Sequence, residues 1–377
     1  MSKCIVCGAA LGGKPVLCMP NAPACAQDLP DRETLGDDRG IDLNLHQCRI
    51  CGLIQLDCEP VPYYRDVIRA VGYSETMMRQ KRAQYAEWIG RYQLGHKKII
   101  EIGCGQGEYL TPLTEFPVEA YGIEHRESLV QLAQERGLNV WRAFPETADT
   151  VLDHAPFDAF VIFNFLEHQP DPNAMLQCVY NNLTEDGIGL VTVPAFEYVL
   201  ERNAFYELVR DHIAYYTAES FRFLMEHNGF AVLEQDIIEG GTLRAVVRKR
   251  PQTDLSGFRV YMDTLQERLS AFAADCRAQG KRVAVWGASH MAFAVLSFTE
   301  LGKAASYIID SAPFKQGKFA PASHVPIVAP EHYAEEPVQR IVIVAPSYAA
   351  EIAETARARF GADIEVYSLD GIELGRI

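Results

Sequence analysis

Lys98-Ile-Ile-Glu-Ile-Gly-Cys-Gly-Gln-Gly-Glu-Tyr-Leu110 is the stretch that decides the fold. Its first five residues read as a short β-branched strand, Gly103, Gly105 and Gly107 make a turn, and the residues after them open a helix. Glycines permit positive φ and let a ligand come close to the backbone, so such a loop suits a nucleoside-bearing cofactor at the end of a parallel strand. The spacing is G-x-G-x-G rather than the G-x-G-x-x-G of dinucleotide folds. Glu101, just ahead of the loop, would repel a pyrophosphate but not a cationic amino-acid cofactor.

The flanking segments extend the pattern. Val118–Glu124 reads as the next strand and ends in a carboxylate about 20 residues beyond the loop, where ribose hydroxyls need an acceptor pair; Glu124 is the candidate. Phe157–Asn164 is almost wholly apolar, as in a strand covered on both faces, and turns polar where it stops. Ligands of doubly wound sheets sit outside these carboxyl ends, so Asn164, Glu167 and His168 are candidates for the pocket. His168, ahead of Gln-Pro-Asp-Pro, has a packing or capping role as its equal alternative. Residues 73–92 predict a helix, Gly187–Pro194 a further strand, and Gly229–Gln235 with Thr242–Arg248 a terminal hairpin. Strands alternating with helices give an α/β layer architecture.

A chain of 377 residues is long enough for two or three domains, each with its own core. We expect boundaries at 1–65, 66–250 and 251–377. The net charge of −15 argues against a nucleic-acid partner, since phosphate binding needs clustered Lys and Arg. No run of about 18 apolar residues suggests a membrane span, and the N-terminus lacks the pattern of a signal segment, so a cytoplasmic enzyme is expected.

Ten cysteines in a chain of this size point first to metal. Cys4-Ile-Val-Cys7-Gly and Cys48-Arg-Ile-Cys51-Gly form two knuckles, and four thiolates fill a tetrahedron. A closed shell of Cys4, Cys7, Cys48 and Cys51 leaves no position for water or substrate, so the expected Zn2+ is structural. The Pro- and Asp-rich loop between the knuckles builds little core, and structural zinc supplies about 10–16 kcal/mol in such peptides. The other six cysteines show no pairing pattern and are expected to be simple packing thiols.

Taken together, three signatures resemble the three-domain sugar C-methyltransferases, which act on nucleotide-linked keto-deoxysugars, and the resemblance spans nearly the whole chain. Cys48-Arg-Ile-Cys51-Gly-Leu-Ile-Gln-Leu is similar to the end of that family's zinc module. The E-x-G-x-G-x-G loop is shared with very many methyltransferases. Asp310-Ser-Ala-Pro-Phe-Lys-Gln-Gly-Lys-Phe-Ala-Pro and Val325-Pro-Ile-Val-Ala-Pro-Glu are similar to its C-terminal domain, and Gly240-Gly-Thr-Leu-Arg244 echoes another of its segments. The resemblance implies a Rossmann-like class I methyltransferase sheet flanked by a zinc module and a smaller α/β C-terminal domain. It also implies S-adenosylmethionine as cofactor, held by Glu101, Gly103, Gly105, Gly107, Glu124, Asn164 and His168, and a nucleotide sugar as substrate of a monomer or homodimer. In that family the nucleotide sugar lies between the middle and C-terminal domains, where Lys315 and Lys318 would face a diphosphate as point charges, with a role as solvated surface lysines as the equal alternative.

The family's catalytic run, Y-H-E-H-L-S-Y-F, falls here on Val209-Arg-Asp-His-Ile-Ala-Tyr-Tyr216. His212 matches, Asp211 stands for Glu, and Val209 and Arg210 replace Tyr and His. Pro346-Ser347 replaces a Trp-Asn near the last strand, and the family's early Ser-Tyr segment is loosely echoed by Tyr73-Ser74. Carbon methylation beside a ketone needs a base to make the enolate, and His212, oriented by Asp211, is the expected one. Asn164, Tyr215 or Tyr216 would stabilise the enolate oxygen, with Tyr216 more simply read as packing. O- or N-methylation of a small molecule shares the same cofactor reading. A nicotinamide-dependent reductase using the Gly287 turn, and a non-catalytic zinc adaptor, are the competing classes.

Overall fold

The computed structural model describes residues 3–66, 74–238 and 240–377. The chain divides into two compact units, 1–251 and 252–377. Tyr73, part of the early Ser-Tyr echo, lies outside the described residues.

Unit 1 begins with three strands, β1 (Leu17–Ala22), β2 (Ile41–Gln47) and β3 (Ile54–Leu56), paired antiparallel in that order. Helix α1 (Glu75–Tyr92) starts where the Ser74 side chain accepts the Met77 N–H, and it buries Met78, Tyr85, Trp88 and Ile89 on one face. It ends at Gln93, which takes a left-handed conformation and returns its N–H to the Ile89 carbonyl.

Then follow β4 (Lys98–Ile102), α2 (Leu110–Leu113), β5 (Glu119–Glu124), α3 (Glu127–Glu135), β6 (Val140–Arg142), β7 (Phe157–Phe163), α4 (Pro172–Asn181) and β8 (Leu183–Pro194). α5 (Phe196–Glu201), β9 (Ala214–Tyr215), α6 (Ala218–His227), β10 (Phe230–Ile238) and β11 (Thr242–Lys249) complete the unit. The main sheet runs β6-β5-β4-β7-β8-β11-β10, parallel through β8 and antiparallel at β11 and β10. This is the class I methyltransferase order, and the reversal between β4 and β7 opens a crevice at their carboxyl ends. β7 is buried on both faces from Ala159 to Phe163, which is why its sequence shows no alternation. Gly189 on β8 is required by packing, because a Cβ there would lie 2.3 Å from the Phe160 ring.

β9 does not join the main sheet. It is the fourth strand of the N-terminal sheet, antiparallel to β3 with Ile54 opposite Tyr215 and Gln55 opposite Ala214. Asn173 on α4 donates to the carbonyls of Ile5 and Val6, and a shared apolar core runs from Cys4 and Val6 to Leu176 and Tyr216. The N-terminal segment is thus built into the same compact unit as the main sheet.

Unit 2 opens with the long α7 (Ser256–Ala278), followed by β12 (Val283–Trp286), α8 (His290–Phe298), α9 (Leu301–Ala304), β13 (Ala305–Ile309), β14 (Ile327–Val328), β15 (Arg340–Ile343), α10 (Ala349–Phe360), β16 (Glu365–Asp370) and β17 (Glu373–Arg376). Its sheet order is β14-β13-β12-β15-β16-β17, parallel except for the last pair. No helix among the described residues is long and apolar enough to cross a membrane.

Candidate active site

At the N-terminus the two knuckles close on each other. Cys4 Sγ lies 3.5 Å from Cys51 Sγ and Cys7 Sγ 3.4 Å from Cys48 Sγ, with all four sulfurs within 4.8 Å. Zn–S bonds of about 2.3 Å give tetrahedron edges of about 3.8 Å, so the donors fit that ion closely. Each knuckle turns on a glycine at positive φ, Gly8 at 72° and Gly52 at 75°, whose N–H returns to the carbonyl of Cys4 or Cys48. The Cys51 thiol, together with the backbone N–H groups of Cys7 and Val6, lowers the Cys4 thiol toward the thiolate that metal binding needs.

At the crest of the main sheet the glycine loop leaves β4. Gly103 has φ +67°, and a Cβ there would fall 2.9 Å from the Phe165 ring; at Gly107 it would fall 2.1 Å from Leu138. The backbone is therefore pressed against its neighbours where only glycine fits. Glu124 ends β5 with one carboxylate oxygen accepting the Gly105 N–H at 3.0 Å and the other the Arg126 N–H at 2.9 Å. That pair of N–H groups pins an acceptor pair beside the loop, the arrangement a ribose diol needs. Glu101 is fully buried within β4, two residues ahead of Gly103. Sequence reading passed over Asp66, whose carboxylate meets His125 Nδ1 at 2.8 Å and whose carbonyl accepts from Arg126, bracing the residues that follow Glu124.

Asn164 follows β7 in a left-handed conformation, φ +47°, its N–H on the Thr192 carbonyl and its Oδ1 accepting the Thr192 hydroxyl at 2.8 Å. The side chain is exposed at the strand end. His168 is buried and donates Nδ1–H to the Asp211 carbonyl at 2.7 Å, which docks the 209–212 loop against the sheet. The His168 and His212 rings meet edge to face at 4.8 Å.

His212 is half-buried on the wall of a pocket of about 270 Å³ lined by Pro194, Ala195, Phe196, Val199, Glu207, Val209, Ala214 and Tyr215. Burial, and secondarily the neighbouring His168, push its pKa down to about 3. The imidazole is thus uncharged at neutral pH, with a free lone pair but weaker basicity than an exposed histidine.

The expected pairing of Asp211 with His212 is not seen. The Asp211 carboxylate turns the other way and accepts the Tyr63 hydroxyl at 2.8 Å and the Ala26 N–H at 2.9 Å. Burial and Asp211 raise Tyr63 to about 12, so that hydroxyl stays a donor. Adjacent residues of the tight turn project to opposite sides, a geometry that adjacency in sequence does not reveal. Tyr215 is also engaged: its hydroxyl accepts the Val209 N–H and donates to the Val209 carbonyl, both at 2.9 Å, clasping the loop that carries His212. Tyr216 is fully buried in the core. Arg210 reaches to the carbonyls of Glu59, Ala24 and Pro60, away from the pocket lining.

In unit 2 the Gly287 turn is tied to the 310–315 segment of its own chain. Asp310 accepts the Ala288 N–H at 2.8 Å, and Lys315 Nζ holds the Ala288 carbonyl and the Asp310 carboxylate. Lys318 is exposed.

The sheet order, the glycine loop and the acid at the end of β5 define the middle of the chain as an S-adenosylmethionine-dependent methyltransferase domain. Residues 75–235 match the methyltransferase-domain family, and residues 249–364 match the C-methyltransferase C-terminal domain. The chain is 24% identical to the C-methyltransferase NovU of Streptomyces niveus over 95% of this chain and 92% of that protein. It is 30% identical to a ubiquinone biosynthesis O-methyltransferase of Pseudomonas fluorescens over 108 residues, 26% of this chain; the chain spans about half the length of that protein, 46%. Similarity to solved structures includes a magnesium protoporphyrin IX methyltransferase from Synechocystis, TM-score 0.38, 13% identity, covering 50% of this chain and 96% of the other. An S-adenosylmethionine-dependent methyltransferase from Clostridium acetobutylicum has TM-score 0.39 and 14% identity over 50% of this chain and 96% of the other.

Two outcomes follow from this geometry. Glu124→Ala removes both carboxylate acceptors beside the loop, and hydrogen bonds to a charged partner are worth about 1.5–3 kcal/mol. Calorimetric titration should show S-adenosylmethionine binding weakened by roughly 10–100-fold; unchanged affinity would place the cofactor elsewhere. The second concerns pH. Because the folded pKa of His212 lies near 3, the imidazole stays unprotonated down to about pH 5, and kcat/KM should show no acidic limb at an ordinary histidine midpoint of about 6.5. The same downward shift means that the unfolded chain takes up the proton first: the stability it contributes is complete above about 6.5 and is lost as pH falls toward 3.

Proposed function

We propose that this chain is an S-adenosylmethionine-dependent C-methyltransferase acting on a nucleotide-linked keto-deoxysugar, with His212 as the base that removes the proton beside the ketone. The observation that carries the reading is the uncharged His212 on the wall of an apolar pocket, in the same compact unit as the glycine loop and Glu124. The C-methyltransferase C-terminal domain match and the NovU similarity support carbon as the acceptor.

The cofactor supplies an electrophilic methyl group; Glu124 and the glycine loop hold it, and the protein's remaining task is to make a carbanion in line with that methyl. A positioned base contributes about 10²–10⁴-fold and alignment about 7–11 kcal/mol, so placement of the sugar outweighs proton transfer. Asn164, with Oδ1 committed to Thr192, has its Nδ2 to offer the enolate oxygen. Asp211 serves as a positioning residue, tying the His212 turn to Tyr63 and Ala26. His168 closes that turn against the sheet.

The chain works in three segments in this reading: residues 1–65 with structural Zn2+ on Cys4, Cys7, Cys48 and Cys51, 66–250 with the cofactor, and 251–377 with the nucleotide of the substrate, Lys318 being the cation left to meet a diphosphate. O-methylation is the second reading, favoured by the 108-residue similarity to ubiquinone biosynthesis O-methyltransferases and by the apolar pocket lining. Transfer of a deuterated methyl group to a thymidine-diphosphate keto-deoxysugar, with the product's methyl carbon located by NMR, separates them. A carbon–carbon bond is expected; a methyl ether would move the assignment to oxygen.

A further inference from the structure

His212 on the pocket wall and the buried Glu167 and His168 beside it form a donor set that methyl transfer does not use in full. Glu167 and His168 lie on a short turn (Leu166–His168) after β7, His212 lies just before β9, and one ligand atom from each falls within 4.8 Å of the others. His168 donates Nδ1–H to the Asp211 carbonyl, which leaves Nε2 with its lone pair 3.9 Å from Glu167 Oε1. A metal-binding imidazole commonly donates its second N–H to a backbone carbonyl or carboxylate in this way, because that bond fixes the tautomer and the ring plane. Glu167 and His168 are nearly inaccessible, 2% and 7% exposed, while His212 reaches the pocket, so a fourth position would face the cavity.

Two imidazoles and one carboxylate suit a borderline transition cation rather than Mg2+ or Ca2+, which prefer all-oxygen shells. Bonds of about 2.1 Å give ligand separations of about 3.4 Å, so an ion would draw these atoms together by roughly 0.5–1.4 Å, within the reach of side-chain rotation.

We propose that Glu167, His168 and His212 form a second metal site, separate from the four cysteines, for a divalent transition cation such as Zn2+ or Co2+, and that an ion held there stops methyl transfer by engaging the His212 lone pair. The binding stands on the geometry alone; the inhibition rests on the reading of His212 as base.

The test counts metal on the full chain equilibrated with excess Zn2+ and desalted. The wild type should retain two ions per chain, and His168→Ala, Glu167→Gln and His212→Asn one each, with circular dichroism and thermal melting reporting that each variant is folded. A wild type that stops at one ion, or variants that keep two, overturns the site. Co2+ gives an independent measurement: the first equivalent should bring the intense sulfur-to-metal absorption of a thiolate site, and the second only weak ligand-field bands. A second rise in the sulfur band would place both ions on cysteines. Filling the second site should lower turnover at least tenfold, reversibly with chelator, and two bound ions with unchanged turnover would overturn the inhibition. The base reading is judged separately, by proton exchange in metal-free buffer.

Discussion

Replacing His212 by Asn is expected to lower kcat by about 10²–10⁴-fold while leaving S-adenosylmethionine affinity nearly unchanged. Asn keeps a polar group of similar size at the pocket wall and cannot accept the substrate proton. The His212 ring bonds to neither Glu124 nor the glycine loop among the described residues, so cofactor binding has no reason to follow the loss. Steady-state rates and calorimetry on one preparation decide the matter. A variant with wild-type kcat would move the base elsewhere, with Glu207, which also lines the pocket, next in order.

The second large effect belongs to the cysteines. Structural zinc contributes about 10–16 kcal/mol of apparent free energy in small modules, against a typical domain stability of about 5–15 kcal/mol. Cys48→Ser with Cys51→Ser should therefore melt the N-terminal sheet, in which β9 pairs with β3. Losing β3 removes the pairing partner of the strand that follows His212 and leaves the loop held by the His168 bond to the Asp211 carbonyl and the Phe196 N–H on the Tyr216 carbonyl, so turnover should fall toward the level of His212→Asn. The glycine loop and Glu124 rest on the main sheet, so the cofactor should still bind. Thermal melting, metal analysis and turnover read the outcome together. A double variant that retains full activity without metal would show that the knuckles do not support the site.

The glycine loop, the acid closing β5 and the apolar β7 could be read from sequence because local chemistry dictates them: turn glycines, a strand-end carboxylate and a strand covered on both faces each leave a local signature. The two cysteine knuckles were equally legible, since C-x-x-C-G is a compact turn motif, and the structure brings all four sulfurs together. What sequence could not give was direction. Asp211 and His212 are adjacent, yet one carboxylate faces Tyr63, 148 positions away, and the other residue's ring faces His168. Tyr215 resembled a hydrogen-bond donor for substrate and instead clasps Val209. The two-residue β9 carries too little pattern to show that it leaves the main sheet for β3. Long-range pairing of so short a strand is set by the register of its partner, not by its own composition.

Solvent deuterium exchange tests the central claim most directly. In metal-free D2O with S-adenosylhomocysteine in place of the methyl donor, the wild-type chain should wash deuterium into the carbon beside the ketone of a nucleotide-linked keto-deoxysugar, and His212→Asn should not. Exchange that survives unchanged in His212→Asn, or a wild type that methylates without any exchange at that carbon, would contradict the account.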